Sequence, residues 1–142
     1  MASYVEAPEL EVVVCHAPSA APIGAICVAG VDTVNRKAEL SAGFLRGRGT
    51  RAVWEAIHFT LDYCFERIGL RKLVMYALAG NRQAIAILER AGAHPEGVLR
   101  AELALPGGEY ADLLRYALFS DADWPRLKSE LVRIAPLATR TE

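Results

Sequence analysis

The chain has 142 residues, of which 53% are hydrophobic, and its 16 Lys and Arg residues against 17 Asp and Glu residues give a net charge of −1. A chain of this length and composition predicts one domain, residues 1–142, with a single packed core. The balanced charge excludes a broad basic surface for nucleic acid, and the longest apolar runs fall well short of the ~20 residues of a membrane-spanning helix.

The N-terminal residues and the cysteines indicate a cytoplasmic location. Residues 1–9 carry acids and a proline in place of a basic start and an apolar run, so no secretory signal is expected. Cys15, Cys27 and Cys64 are odd in number, lie in apolar runs and lack metal-ligand spacing. We interpret them as reduced core residues of a cytoplasmic protein.

The first third of the chain predicts three consecutive antiparallel strands. Residues 9–16 and 23–30 are rich in β-branched side chains, and the two prolines between them cannot lie inside a paired ladder. Residues 36–45 alternate small or apolar residues with polar ones, which is typical of a further strand. A β-hairpin followed by a third strand is therefore expected.

A helix, a strand and a second helix follow. Apolar residues recur at intervals of three and four over residues 50–68, which predicts a long amphipathic helix that stops at Gly69. Residues 71–78 form another apolar strand, and the order strand, helix, strand predicts a parallel crossover. Asn81 is placed as the N-cap of a second helix that ends at Gly92.

The last third predicts a second hairpin and a terminal helix. Residues 96–105 and 110–119 flank a Pro-Gly-Gly-Glu turn. Residues 120–135 place apolar side chains on one stripe, with Pro125 in the first turn. Together the elements predict an α/β (α+β) fold with a mixed, mostly antiparallel sheet, one parallel crossover and flanking helices.

This order of elements resembles the GNAT family of acyl-CoA-dependent N-acyltransferases from its second strand onward. Six short segments occur in the family's order and at close to its spacing: residues 36–40 (RKAEL), 46–50 (RGRGT), 61–65 (LDYCF), 69–70 (GL), 81–85 (NRQAI) and 96–100 (EGVLR). Residues 108–112 (GEYAD) and the pair Asp123 and Trp124 resemble the ribosomal-protein acetyltransferase branch, RimJ and RimL. The resemblance covers roughly residues 23–124.

Two features differ from the family pattern. Family members normally begin with a further strand and one or two helices that wall the acceptor groove, so the resemblance is to a short form without these elements. The family's pyrophosphate loop reads Q/R-x-x-G-x-G/A. With Arg46 first, Gly49 fits and Arg51 replaces the last small residue. With Arg48 first, Arg51 and Val53 replace both small residues.

A segment rich in glycine and arginine leads into the first long helix. Such a backbone presents unpaired N–H groups and the positive end of the helix dipole, which suit a pyrophosphate. The alternative is a basic turn that only reverses the chain. The predicted cofactor-binding residues of this segment are Arg46, Gly47, Arg48, Gly49, Thr50 and Arg51.

The resemblance implies two further contacts with acetyl-CoA, the cosubstrate. In the family, the strand before the loop separates from its parallel neighbour and offers backbone groups to pantetheine, which here implies Gly43, Phe44 and Leu45. Gly43 is also consistent with a bulge in that strand. The family's counterpart of Asn81 faces the pantetheine arm, and helix capping alone is the alternative explanation of this residue.

Glu39 occupies the strand position where many relatives keep a carboxylate that deprotonates the amine, directly or through water. A lysine amine of pKa ~10.4 costs about 4.6 kcal/mol to neutralise at pH 7, whereas an α-amine of pKa ~7.8 costs about 1 kcal/mol. A partly exposed glutamate therefore suits an α-amine better. The alternative is a strand charge that only faces solvent.

No other residue stands out as a catalytic group. Leu88 lies one turn before the Gly that ends the second helix, where many relatives carry a general-acid tyrosine. The RimJ-like branch also lacks that tyrosine, so the thiolate would take its proton from water or another group. Tyr110 and Tyr116 are candidates by type alone, and packing is the simpler interpretation. His58 is interpreted as a surface or interface residue.

The resemblance implies transfer of an acetyl group from acetyl-CoA to a primary amine, at a protein N-terminus or on a small molecule, by direct attack in a ternary complex. The first alternative is a degenerate module that binds acyl-CoA, an acyl carrier or a partner protein without catalysis. The missing N-terminal elements, Leu88 and the altered glycine loop favour it. The second is an acyltransferase that modifies antibiotics or other secondary metabolites, for which the Ala- and Arg-rich composition argues.

No metal is expected, because His16 and His94 have no metal partner at a recognised spacing.

The first hairpin is predicted to form an open sheet edge. Residues 12–14 and 26–28 would offer unpaired backbone and apolar faces that a covering helix normally hides. A stripe of Leu127, Leu131 and Ile134 on the terminal helix would enlarge the interface. These features predict a homodimer or a partner chain; the alternative is that the terminal helix covers its own sheet.

Overall fold

The computed structural model describes residues 10–16, 19–44 and 51–137. Within these ranges the chain forms six strands and three α-helices, in the order predicted from the sequence. They are β1 (Leu10–His16), β2 (Ala21–Asp32), β3 (Lys37–Phe44), α1 (Arg51–Asp62), β4 (Lys72–Leu78), α2 (Arg82–Arg90), β5 (His94–Ala104), β6 (Tyr110–Phe119) and α3 (Trp124–Ile134).

The strands form one mixed sheet in the order β1-β2-β3-β4-β6-β5. All neighbouring strands are antiparallel except β3 and β4, which are parallel. The prediction of a mostly antiparallel sheet with one parallel crossover is therefore confirmed. Both hairpins pair as expected, and β1 and β5 are the edge strands.

The parallel pairing of β3 with β4 is short. It covers Lys37 to Glu39, with Glu39 opposite Val74. Beyond that point β3 remains paired with β2 as far as Phe44, and β4 remains paired with β6 as far as Leu78. The two strands consequently separate, and the sheet is split along its middle from Glu39 onward.

The long helix predicted before Gly69 is regular over only part of its length. It is α-helical to Asp62 and continues as a π-helical turn, Tyr63–Arg67, in which Ile68 N donates to Tyr63 O at 2.9 Å. A π turn accommodates an additional residue in the helix. Cys64 and Phe65 of this turn are both buried, and the chain leaves the helix at Gly69 with φ +77°.

The core lies between one face of the sheet and the helices. Its central side chains come from β2, β4, β6, α1 and α3 and include Val28, Leu73, Met75, Leu118, Leu61 and Leu131. Alternate residues of each strand point to opposite faces, so the residues between these positions face away from the helices. The second face of β1 is exposed, and Val13 there is 58% accessible.

His58 belongs to this core, and its interpretation as a surface residue is wrong. Its side chain is 2% exposed, and Nδ1 lies 2.7 Å from the carbonyl oxygen of Ala135. The reason is that α3 packs against the face of α1 that carries His58 and places Trp124 beside the imidazole. A buried imidazole retains a hydrogen-bond partner in this way.

The terminal helix covers its own sheet, which was the alternative to an intermolecular role. Leu127 and Leu131 are 2% and 0% exposed, so the predicted contribution of this stripe to association is wrong. Glu66 fixes the helix from the π turn, because Oε1 accepts from Trp124 Nε1 at 3.0 Å and from Lys128 Nζ at 2.6 Å. The bond from Lys128 holds the pKa of Glu66 below its usual value.

The three cysteines are free thiols with different environments. Cys64 is buried, and desolvation raises the pKa of its thiol to about 12. Cys27 is half-buried. Cys15 is exposed, so its interpretation as a core residue is wrong. It lies on an edge strand beside Val14, and the alternation of strand side chains gives the core-facing position to Val14.

Candidate functional site

A cavity of about 550 Å³ lies where the sheet is split. Because β3 and β4 are parallel, the helices that follow them, α1 and α2, begin at the same edge of the sheet. The two helices and the separated strands together enclose the cavity. A volume of this size is typical of a pocket for a small-molecule ligand or a cofactor.

The separated strands form one wall. It consists of Glu39, Leu40, Ser41, Ala42 and Gly43 from β3, with Met75 and Tyr76 from β4. Since parallel pairing ends at Glu39, the backbone of the following β3 residues has no partner on the β4 side. Unpaired backbone groups at a cavity are available to the amide groups of a ligand.

The helices form the opposite wall, and it is largely apolar. The lining side chains include Trp54, Ile57 and Leu61 of α1 and Ala84, Ile87 and Leu88 of α2. No residue of α2 is fully buried. The apolar residues of α2 thus face open space, which a ligand with an extended aliphatic part would fill.

Asn81 lines the cavity at the N-terminus of α2. Its Oδ1 accepts from Ala84 N at 3.1 Å, so the predicted N-cap is confirmed. The carboxamide nitrogen remains available for a ligand. Neither α1 nor α2 has an acidic residue in its first turn, so no first-turn carboxylate neutralises the positive ends of the two helix dipoles.

Glu39 lies at the point where the split begins. Its side chain is exposed and alternates with Ala38 and Leu40, which point to the helix side of the sheet. Among the residues that the structure describes, Glu39 forms no ion pair or hydrogen bond. Its carboxylate is therefore free to accept a proton or bind a cation.

The structure describes only some of the other predicted cofactor residues. Leu45, Arg46, Gly47, Arg48, Gly49 and Thr50 lie outside the described residues. Arg51 begins α1, is exposed, and its Nε lies 2.8 Å from Glu55 Oε1. Gly43 pairs in register with Ala25, so the bulge expected at Gly43 is absent. The register of that pair of strands instead shifts between Ala29 and Asp32, next to the turn.

The tyrosines named from the sequence do not reach the cavity. Tyr116 is 6% exposed and packs in the core, whereas Tyr110 is 68% exposed at the start of β6, which does not fit the packing interpretation. Tyr76 lines the cavity and was missed. Tyr76 lines the cavity because it lies just past the end of the parallel pairing of β3 with β4. The hydrophobic periodicity of the sequence does not show where that pairing ends.

Tyr76 belongs to a chain of polar contacts across β4, β5 and β6. Its hydroxyl accepts from Arg115 Nη1 at 3.2 Å, Arg115 Nε lies 3.1 Å from Glu96, and Glu96 lies 2.8 Å from Lys72 Nζ. The hydrogen bond from Lys72, together with that from Arg115, holds the pKa of Glu96 below its usual value. The chain of contacts fixes the phenol at the edge of the cavity.

In residues 10–16, 19–44 and 51–137, no group of three or more His, Cys, Asp and Glu side chains could hold a metal ion. No helix in these ranges has the length and apolar character needed to cross a membrane.

Comparisons with known proteins point to one family. Residues 2–94 match the family model described as "Acetyltransferase (GNAT) domain". The chain is 34% identical over 98 residues to the "Putative ribosomal N-acetyltransferase YdaF" of Bacillus subtilis, which covers 67% of this chain. Among solved structures, spermidine/spermine N-acetyltransferase SpeG from Vibrio cholerae has a TM-score of 0.71 and 25% identity over 82% of this chain. A "putative acetyltransferase" from T. thermophilus has a TM-score of 0.72 and 28% identity over 80% of this chain.

These proteins are longer than the chain. The match covers 52% of the Bacillus protein, 60% of the T. thermophilus structure and 68% of SpeG. The chain thus spans about half the length of the curated relative that it matches.

Proposed function

Since this chain belongs to the GNAT acetyltransferase family, we propose that it transfers an acetyl group from acetyl-CoA to a primary amine. The observation that carries the proposal is the split between β3 and β4, which opens into a cavity between α1 and α2. This arrangement brings an unpaired strand, an exposed carboxylate and two helix N-termini to one place. The reaction needs each of them.

The residues present fit acetyl-CoA in three parts. The pyrophosphate would be held by residues 46–51 at the start of α1, where Arg51 supplies a cation that also lies 2.8 Å from Glu55. The pantetheine amides would bond to the free backbone of β3 near Gly43 and to the side chain of Asn81. The aliphatic part would lie against Trp54 and the α2 residues. Polar groups of the cavity therefore match polar groups of the cosubstrate.

Glu39 acts as the base in this proposal. It accepts a proton from the ammonium form of the acceptor, directly or through water, and the free amine attacks the thioester carbonyl carbon. A C–N bond forms, the C–S bond breaks, and the CoA thiol leaves after protonation. The unpaired state of Glu39 supports the role, because a carboxylate held by an ion pair is a weaker base.

The acceptor proposed is an α-amine or a small-molecule amine of comparable basicity. Neutralising an α-amine at pH 7 costs about 1 kcal/mol, which an exposed glutamate supplies more easily than the roughly 4.6 kcal/mol of a lysine. One relative is named a putative ribosomal N-acetyltransferase, and one similar structure is a spermidine/spermine N-acetyltransferase. An amine acceptor is common to both.

Release of CoA thiol on addition of an amine tests the proposal. We expect thiol to form from acetyl-CoA with at least one member of a panel of N-terminal peptides, lysine peptides and polyamines. The acetylated amine should appear in equal amount by mass spectrometry. Reactions without amine and with a Glu39→Gln variant are the controls. Binding of CoA without thiol release for any acceptor would contradict catalysis.

One observation favours a module without catalysis as the second candidate. Leu88 lines the cavity at the helix position where many relatives carry the tyrosine that protonates the thiolate. A pocket without that acid could hold acyl-CoA and release it unchanged. The same assay separates the two functions, because such a module binds CoA in calorimetry and leaves the thioester intact.

We also propose that the protein acts as a homodimer or with a partner chain, through the β1 edge. β1 is an edge strand, and Val13 and Cys15 are exposed on the sheet face that points away from the helices. The apolar face formed by Val14, Ile26 and Val28 is buried under its own chain and takes no part. An open edge with an apolar face promotes association.

A further inference from the structure

The proposed reaction leaves the source of the thiolate's proton open, and we propose that the hydroxyl of Tyr76 donates it. The inference rests on the function proposed above. It gives a catalytic role to a strand residue, in a chain whose second helix has Leu88 where many family members have a tyrosine. Four observations support it: position, hydrogen bonding, charge, and the placement of the other tyrosines.

Tyr76 and Glu39 lie on either side of the split. Glu39 is opposite Val74 in the parallel register, and Tyr76 follows Val74 by two residues along β4. Residues two apart in a strand point to the same face, so Glu39 and Tyr76 point to the same face of the sheet. Both line the cavity. A base and a hydroxyl thus flank the gap in which amine and thioester meet.

The proton of Tyr76 is free to be donated. The hydroxyl oxygen accepts from Arg115 Nη1 at 3.2 Å, and a guanidinium has donors only. The phenol's own proton is therefore not used in that contact. No other hydrogen-bond partner of Tyr76 is found in the part of the chain that the structure describes.

Arg115 stabilises the product of the donation. A phenol that gives up its proton becomes an anion, and the guanidinium already lies against its oxygen. The hydrogen bond with Glu96 raises the pKa of Arg115, so that the guanidinium keeps its charge. Lys72 holds Glu96 in turn. A fixed cation at the position where charge develops lowers the barrier.

The step balances with the groups named. The amine nitrogen bonds to the carbonyl carbon, the C–S bond breaks with its electron pair on sulfur, and sulfur takes the proton of the Tyr76 hydroxyl. The nitrogen loses a second proton to solvent as the amide forms, and the phenolate regains a proton from solvent, so these two transfers cancel. Glu39 returns to solvent the proton that it took from the ammonium, which is the one proton that the reaction releases.

The remaining described tyrosines are excluded by position. Tyr63, Tyr110 and Tyr116 do not line the cavity. Tyr110 is therefore a suitable control, because it is an exposed tyrosine outside the site.

The test compares Tyr76→Phe with Tyr110→Phe by steady-state thiol release across neutral and alkaline pH. For Tyr76→Phe we expect kcat to fall about 100-fold, the lower end of the range for general acid catalysis, while the KM for acetyl-CoA stays unchanged. Wild-type kcat should fall at alkaline pH, where the acid would already have lost its proton, and the variant should lack this fall. Tyr110→Phe should behave as wild type.

The outcomes separate this inference from the proposed function. If wild type releases thiol and Tyr76→Phe keeps its kcat, the inference fails and the function stands. A loss of kcat with an unchanged pH profile would show a structural role and also overturn it. If wild type releases no thiol with any amine, the proposed function fails first. Calorimetry with CoA, which should give equal affinity for both proteins, shows that the variant is folded.

Discussion

Glu39 combines three properties that are rarely found together in a strand carboxylate. It ends the parallel pairing of β3 with β4, it lines the cavity, and its oxygens are unpaired within the described residues. Most strand carboxylates satisfy only the last condition and face solvent. The position of Glu39 therefore carries more weight than its residue type.

Glu39→Gln should lower kcat/KM for the amine about 100-fold below the pKa of the acceptor amine, because only there must a base remove a proton. Above that pKa the variant should recover. Rates across the pH range measure the effect, and Glu102→Gln, an exposed glutamate on β5 outside the cavity, is the matched control. An equal loss at every pH would make Glu39 a structural residue.

Single residues were predictable from the sequence where local chemistry fixed them. Asn81 follows a strand and precedes a segment with helical periodicity, so its role as an N-cap could be predicted. The environments of His58 and Tyr76 could not be predicted. That of His58 depends on how α3 packs on α1, and that of Tyr76 depends on where β4 separates from β3. Those contacts join residues far apart in the chain, and no local pattern encodes them.

At the scale of elements, α2 is the helix of the site's wall that buries no residue completely, although Ile87 and Leu88 pack against the core. Its C-terminal end is fixed by Arg126, whose Nη2 donates to Ala91 O at 3.1 Å, and by Arg90, which lies 4.9 Å from the centre of the Trp54 ring. Gly92 follows with φ +78°, and a Cβ there would clash with the Arg126 guanidinium. The positive φ is the reason that this position favours glycine, whereas the Arg126 guanidinium is the end of a flexible side chain and can shift.

Gly92→Ala should lower the free energy of unfolding by about 1–2 kcal/mol, from the left-handed backbone of a residue with a Cβ. Displacement of Arg126 adds to this loss. Urea denaturation measures it. Gly80→Ala is the control, because its φ is not positive and its Cβ would meet nothing within 4 Å. Equal stability of the two variants would contradict the account of this helix end.

The ladder of Lys72, Glu96 and Arg115 ties β5 to β4 and β6. The Glu96 carboxylate has a pKa below its ordinary value of 4.5 in the folded chain. A lowered folded-state pKa contributes stability that is present above pH 4.5 and is lost as pH falls through the folded-state value. The ladder is therefore expected to weaken in acid.

Glu96→Gln should lower stability at neutral pH, and its difference from wild type should shrink as the pH is reduced below about 4.5. Thermal melting at a series of pH values measures both. Glu102→Gln, an exposed glutamate on the same strand, should show neither effect. A constant difference at all pH values would mean that the charge of Glu96 does not matter.

Element order was predictable because hydrophobic periodicity and Gly, Pro and Asn signals are local. The strands, the helix cap and the turn glycines followed from them. The π turn at Tyr63–Arg67 and the length of the parallel pairing did not, because both are set by packing against α3 and β6. The cavity depends on that pairing length, so its position was only implied by family resemblance.

At the scale of the whole molecule, the sheet has one face under helices and two edge strands, β5 and β1, and the association proposed above uses the β1 edge. The open face near that edge carries Val13, which is 58% exposed, and Cys15. A specific interface buries at least ~1,000 Å² in total, which an edge-to-edge contact with the adjoining face of each copy supplies.

Sedimentation equilibrium should therefore show a species of twice the 15.4 kDa chain mass at micromolar concentration. Val13→Glu should shift it toward the monomer by placing a charge on the apolar face. Val132→Glu is the control, since Val132 is 52% exposed on α3, away from that edge. A 15.4 kDa species that persists at high micromolar concentration would contradict association.

The central claim is that CoA occupies the cavity beside the split sheet, and Trp54 reports on it directly. The sequence has two tryptophans, so a Trp124→Phe variant retains Trp54, which lines the cavity, as the single fluorophore. Titration with CoA should change its emission saturably, with a dissociation constant on the order of micromolar. Emission that stays constant through millimolar CoA, in a variant that circular dichroism shows to be folded, would contradict the account.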